Sequence, residues 1–290
     1  GVKAIVCPIN TKGQFTEEVS DYAGKYIKDA DKEIIKALKE NGNLFHQSVI
    51  VHSYPFCYRT DTPLIYMATP QWYLEVDAIK DKMLSANQKI NWVPEHIKEG
   101  RFGKWLENAR DWAISRKRFW GTPLPVWINE ESGKSICIGS IEDLKKYTGV
   151  EVDDLHRETV DELTFKVDGE AGEYKRITDV FDCWFESGSM PYAQLHYPFE
   201  NEEIFKKGFP AEFIAEGLDQ TRGWFYTLLV LSTAIFGKPA YKNVICSGLI
   251  NGSDGKKISK RLQNYTPLNE VLDIFGSDAI RLYLISSPAV

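Results

Sequence analysis

Four cations fall within six positions, Lys256, Lys257, Lys260 and Arg261, opposed only by Asp254. They are interspersed with Gly252, Ser253, Gly255 and Ser259, which are turn formers. A glycine-flanked loop of this kind can lay positive charge on a polyphosphate, where negative charge shifts onto the leaving group during cleavage. The plain alternative is a solvated basic turn. A Walker P-loop is excluded by spacing, because the glycine required five residues before Gly255 is Ile250. A second cluster, Glu216-Gly217-Leu218-Asp219-Gln220, offers acceptors for an ammonium group or for ribose hydroxyls. The alternative for Glu216 and Asp219 is helix capping. A third, Arg116-Lys117-Arg118 beside Phe119 and Trp120, could stack bases and hold phosphates, or could be core aromatics next to surface cations.

These residues need elements to hold them. Val244, Ile245 and Cys246, followed by Leu249 and Ile250, read as a buried strand bounded by Pro239 and Gly252. That strand empties into the basic loop, which puts charge at the carboxyl end of a sheet, where ligands bind in open α/β folds. Phe213, Ile214 and Ala215 read as a second short strand. A helix is expected over 221–236, stopped by Gly237. Strand, glycine-containing turn and helix N-terminus together present backbone N–H groups to a ligand. Helices are also expected over 23–42, with Ile27, Ala30, Ile34, Ile35 and Leu38 on one face, and over 76–85. Two more are expected over 267–275 and 277–286. Residues 1–9 read as a strand. The runs 49–51 and 64–67, punctuated by Pro55, Pro63 and Pro70, read as a β-rich module. His46 and His52 beside Cys57 match no zinc spacing and read as structural.

Composition narrows the class. The chain has 290 residues, 43% of them apolar, enough for one large core or two smaller ones and unlike a disordered chain. Its net charge of −6 means that any RNA contact must come from local patches. Five scattered cysteines fit reduced thiols, so a cytoplasmic setting is expected. The sequence has no apolar run of transmembrane length and no visible signal peptide, so no membrane partner is expected. The first residue is Gly1 and the last, Val290, follows an apolar helical pattern, so the chain is expected to be a fragment.

The order of residue types in the loop adds a resemblance. Lys257-Ile258-Ser259-Lys260-Arg261 resembles the Lys-Met-Ser-Lys-Ser signature of class I aminoacyl-tRNA synthetases, and the flanking Asp-Gly-Lys and Leu-Gln-Asn-Tyr resemble that family too. Residues 112–127, with the pattern Trp-x-Ile-Ser-Arg-x-Arg-x-Trp-Gly-Thr-Pro-x-Pro-x-Trp, resemble the isoleucyl-tRNA synthetases of the eukaryote-type branch. So do residues 100–110, 52–59 and 69–72, and the likeness runs from Phe15 to the end. Arg118 and Thr122-Pro123 favour the isoleucyl over the valyl pattern. Asp182-Cys183-Trp184-Phe185-Glu186-Ser187-Gly188 resembles the family's Trp-Phe-Asp-Ser-Gly block.

The resemblance implies an α/β fold in which residues 1–95 are the tail of a β-rich editing insertion. Residues 96–265 would be the second half of a Rossmann-like catalytic domain, with a subdomain inserted at 128–177. Residues 266–290 would begin a helical stem. It implies ATP-dependent ligation of isoleucine to tRNA through isoleucyl-adenylate, with magnesium accompanying ATP. The implied catalytic residues are Lys257, Ser259 and Lys260. Lys257, Lys260, Asp219 and Gln220 would hold ATP. Glu216, Gly217, Asp219 and Gln220 would hold the adenylate, and Trp184 and Trp224 would wall the side-chain pocket. A monomer is expected. Many relatives carry a Trp-x-Cys-x-x-Cys-Gly zinc ribbon, but here the cysteine positions are Asn129 and Ser132, so no zinc is expected. The family's His-Ile-Gly-His signature does not occur in these residues, and the editing motifs are expected upstream. The chain alone is therefore expected to be inactive. The alternatives are a valyl-type synthetase and a non-catalytic piece that binds adenylate or tRNA.

Overall fold

The computed structural model describes residues 6–57, 60–252, 255–259 and 263–287. The chain divides into two compact units, Gly1–Pro70 and Gln71–Val290.

The first unit has one α-helix among its described residues, Ile27–Glu40. It starts later than expected because Glu17–Tyr22 forms a 3-10 turn first. Ala30 is its buried residue, and Gly42, at φ 70°, supplies the left-handed conformation after its end. Residues 1–5 of the expected first strand lie outside the described residues, and Ile9 forms only a single bridge to Phe15. The expected strands at 49–51 and 64–67 do not form. Val49, Ile50 and Val51 are 92, 72 and 102% exposed, and the one bridge among the described residues there joins Phe56 to Pro63. Apolar alternation alone does not make a strand. The backbone needs a partner ladder, and prolines cannot donate to one.

The second unit is built on a parallel sheet. Tyr241–Ser247 lies in the middle, flanked by Asn91–Val93 and Ala211–Gly217. Asn91–Val93 is an edge of this sheet, and Trp92 on it is 2% exposed. The central strand ends at Ser247, opposite Gly217, which ends its neighbour. Leu249 and Ile250 therefore fall outside it, and Ile250 is half exposed.

The helix Trp224–Phe236 connects these two strands and is buried from Phe225 to Thr233. Apolar on all sides, it is a core helix rather than an amphipathic one. Trp92 packs edge-on to Phe225 with ring centroids 5.8 Å apart. The helix Cys183–Ala193 crosses it at Gly188. A Cβ there would lie 3.0 Å from both the Thr227 backbone and Leu231 Cδ1, so the close crossing requires glycine.

A second three-stranded sheet is antiparallel, with Val126–Asn129 between Ser135–Cys137 and Tyr174–Arg176. Its helix Ile141–Thr148 is capped by Ser140 Oγ, which accepts the Asp143 N–H at 3.0 Å, and closed by left-handed Gly149. Trp127, Leu144, Phe165 and Tyr174 form its own core. The last helix, Leu268–Ser286, is broken by Gly276 at φ 76° and ψ 161° into the two segments expected there. Among the described residues, no helix is long and apolar enough to cross a membrane.

Candidate functional site

The Ser247↔Gly217 register sets the geometry of the site. Two adjacent parallel strands end level with one another, so the segments that follow them leave from the same end of the sheet. After Gly217 the chain makes a 3-10 turn, Leu218–Arg222, not the continuous helix expected from 221. The α-helix begins only at Trp224, because Gly223 adopts φ −141° and ψ −114°. After Ser247 the chain forms a hairpin in which Asn251 bridges Lys257 and Ile258 N–H donates to Ile250 O at 3.2 Å. Gly255, at φ 71°, turns it. The two segments meet where Lys257 Nζ lies 3.5 Å from Asp219 Oδ2. Ser259 is half-buried, whereas Lys260 and Arg261 lie outside the described residues.

Glycines allow the acidic turn to fold tightly. A Cβ on Gly217 would be 2.9 Å from Asp219 Oδ1. A Cβ on Gly223 would be 2.7 Å from Gln220 Oε1 and 3.1 Å from Trp184 Cη2. Trp184 therefore packs against the turn while remaining 40% exposed. Trp224 Nε1 donates to Ser187 O at 3.1 Å, which ties the core helix to Cys183–Ala193. Gln220 Oε1 accepts the Trp224 N–H at 2.8 Å, so this side chain does the capping that was weighed for its neighbours. Glu216 stands exposed on the edge strand, one residue before the turn.

Other residues hold the turn from behind. Arg101 Nε donates to the Thr221 hydroxyl at 3.0 Å, and that hydroxyl donates to Leu218 O at 2.7 Å. Thr221 is fully buried. Arg101 sits in a π-helical segment, Lys98–Gly103, a local irregularity frequent near functional sites. Sequence reasoning quoted this stretch for its resemblance but assigned it no role. The signal available was Arg101 between two glycines at 100 and 103. Asp182, 4% exposed, begins the Cys183–Ala193 helix by accepting the Trp184 N–H. It also holds the Arg116 guanidinium at 2.6 Å and Trp112 Nε1 at 3.1 Å. Arg116 is thus committed to an internal ion pair. Phe119 and Trp120 are about two-thirds exposed, and Trp120 stacks on His156 with centroids 4.5 Å apart.

Burial pushes the Cys246 thiol up to about 11, against the opposing influence of Arg101. Burial followed by the Asp182 charge raises that of Cys183 as well, so neither thiol is an activated nucleophile. At 129, where the resemblance places a cysteine, the side chain is an amide held by its own turn. Asn129 is fully buried, and its Oδ1 accepts the Glu131 and Ser132 N–H groups at 3.0 and 3.2 Å. Its Nδ2 donates to Ala171 O at 2.8 Å. An amide already engaged in this way is no thiolate.

Comparison with known proteins follows from this geometry. The family model described as tRNA synthetases class I (I, L, M and V) matches residues 10–290. A cytoplasmic isoleucine–tRNA ligase of Arabidopsis thaliana is 56% identical over 288 residues, spanning 99% of this chain and 24% of that protein. The isoleucine–tRNA ligase of Protochlamydia amoebophila is 59% identical over 285 residues, spanning 98% and 27%. The chain thus spans about a quarter of the length of the curated relatives it matches. The methionyl-tRNA synthetase of Mycobacterium tuberculosis in its free state overlaps 82% of this chain and 36% of its own, with a TM-score of 0.48 at 16% identity. A likeness that weak carries no argument.

Proposed function

The chain belongs to the class I tRNA synthetases (I, L, M and V), and from that premise we propose that it is part of an isoleucine–tRNA ligase. The whole protein joins isoleucine to ATP, releasing pyrophosphate, and passes the isoleucyl group from the adenylate to a tRNA ribose hydroxyl. The parallel sheet is the second half of a Rossmann-like domain, Gly1–Pro70 is the tail of an editing insertion, and Leu268–Ser286 begins a stem. Support for the half-domain comes from the edge strand Ala211–Gly217, where Phe213 is 62% exposed.

The observation that carries the reading is the approach of Lys257 to Asp219 at the carboxyl ends of adjacent parallel strands. Both side chains are about half exposed, and an ion pair of that kind contributes only ~0–1 kcal/mol. Lys257 can therefore leave Asp219 for a phosphate at little cost. In the reaction a carboxylate oxygen of isoleucine attacks the α-phosphorus, and the bond to the β-phosphate oxygen breaks. Lys257 and Lys260 balance the charge that gathers on the departing pyrophosphate. Glu216 receives the isoleucine ammonium, Asp219 and the Gln220 amide receive ribose hydroxyls, and Trp184 and Trp224 wall the side chain. No protein nucleophile is needed, because positioning and electrostatics carry the displacement. Magnesium would accompany the ATP phosphates and offset their charge.

The test is isoleucine-dependent exchange of pyrophosphate into ATP. The full-length protein is expected to catalyse it about 10–200-fold more efficiently with isoleucine than with valine, while the 290-residue chain alone is expected to be silent. Exchange driven equally by valine would move the assignment to the valyl branch.

A further inference from the structure

Asn264 lies beyond the basic signature, yet its side chain reaches back to both sides of Ile258. Its Oδ1 accepts the Ser259 N–H at 2.9 Å, and its Nδ2 donates to Lys257 O at 3.4 Å. One amide thus brackets the backbone between two residues assigned to catalysis. The chain also closes through Gln263 N–H, which donates to Ser259 O at 2.9 Å. On its other side, the same stretch is held by the Asn251–Lys257 bridge and by Gly252 N–H donating to Lys256 O at 2.8 Å. The hairpin fixes where Lys257 starts, and Asn264 fixes which way the chain leaves it.

We propose that Asn264 is a positioning residue for adenylate formation, clasping the backbone on both sides of Ile258 so that Lys257 meets the ATP phosphates in a set register. This rests on the ligase reading above. A glycine- and lysine-rich loop loses backbone freedom when it is fixed on a polyphosphate. A clasp present before ATP arrives removes part of that cost from the chemical step. Asn suits the task because its side chain carries both an acceptor and a donor, spaced to bond an N–H and a C=O of neighbouring residues. Aspartate keeps only the acceptor, and alanine keeps neither.

The experiment measures isoleucine-dependent ATP–pyrophosphate exchange in the full-length enzyme and in its Asn264→Ala and Asn264→Asp variants. Two lost hydrogen bonds are expected to lower kcat about ten-fold in Asn264→Ala. Asn264→Asp retains the shorter bond and is expected to lose about three-fold or less. The isoleucine KM and the Tm are expected to stay unchanged in both, because the clasp touches neither the side-chain pocket nor the core. A kcat within about two-fold of the parent in Asn264→Ala would overturn the inference and leave the ligase reading standing. A loss accompanied by a raised isoleucine KM or a lowered Tm would also overturn it, since that marks a residue needed for folding. If the unsubstituted enzyme shows no isoleucine-dependent exchange, the ligase reading fails and the inference falls with it.

Discussion

The two three-stranded sheets of the second unit solve different problems. The antiparallel sheet around Val126–Asn129 is assembled within residues 126–176, so its ties close inside one continuous stretch of chain. Asn129 holds its turn, and Lys134 pairs with Glu170 at 2.8 Å. Arg157 and Arg176 both pair with Asp161. The parallel sheet instead pairs Asn243 with Asn91 across 152 positions, and its Asn91 Nδ2 to Asn243 Oδ1 bond spans the same distance. Its outer strand leaves Phe213 exposed, and Asp219, Gln220 and Lys257 lie in the segments that follow its strand ends. Closed local pairing gives a self-sufficient module. Non-local parallel pairing gives a platform whose strand ends can gather residues from distant parts of the chain.

If that division is correct, the largest effect comes from charge on the parallel platform. Lys260→Ala in the full-length enzyme is expected to raise the barrier to adenylate formation by about 2.7–4 kcal/mol, by analogy with an oxyanion-hole donor. The isoleucine dissociation constant is expected to stay put. Glu216→Ala is expected to do the reverse, weakening isoleucine binding, because the ammonium is present in the ground state too. Pre-steady-state kinetics on both variants separates the two. A Lys260→Ala enzyme with intact chemistry and weakened isoleucine binding would return the loop to a solvated basic turn.

The packing beneath the platform comes next. Gly188→Ala places a methyl 3.0 Å from the Thr227 backbone and should cost about 1–3 kcal/mol in overall stability. Denaturant titration followed by tryptophan fluorescence reads this, and an unchanged midpoint would mean that the two helices can part freely.

The local module should respond differently. Asn129→Ala removes three hydrogen bonds to a fully buried side chain and should cost about 1–3 kcal/mol, felt as faster hydrogen exchange over 126–137. Exchange in the parallel sheet should not change. Elemental analysis of the same protein should find no stoichiometric zinc; a full equivalent of zinc would mean that a metal, not Asn129, holds this turn.

The smallest effect is chemical. With its thiol pushed up to about 11 by burial, Cys246 is almost entirely protonated at pH 8 and should be modified last by a thiol reagent. Cys137, which is exposed, should react early. Mass spectrometry of partly alkylated protein orders them, and early labelling of Cys246 would mean that the sheet opens readily.

Much of the site was legible because chemistry-bearing types come in order along the chain. Residues 216–220 and 257–260 stand out as candidates by type, and Gly237 and Gly276 mark where helices stop or break. Other parts could not be read locally. The runs at 49–51 and 64–67 have strand composition without a ladder, and periodicity does not reveal whether a partner exists. The break at Gly223 escaped notice because the sequence around it, from Thr221 to Phe236, reads as one apolar helix. The glycine is required by Trp184 and Gln220 packing onto it, and Trp184 comes from 39 positions earlier.

By itself, then, the amino-acid sequence determined the family, the loop that carries the cations, the acidic turn and the absence of thiolates at 129 and 132. These are properties of residue type and short spacing, and they survive without coordinates. Tertiary structure alone decided that Ser247 and Gly217 end level, that Lys257 meets Asp219, that Arg101 braces Thr221 and that Asn264 returns to Ser259. Each depends on strand register or on a side chain crossing a turn, and register is chosen by the packing of the whole sheet rather than by any segment of it.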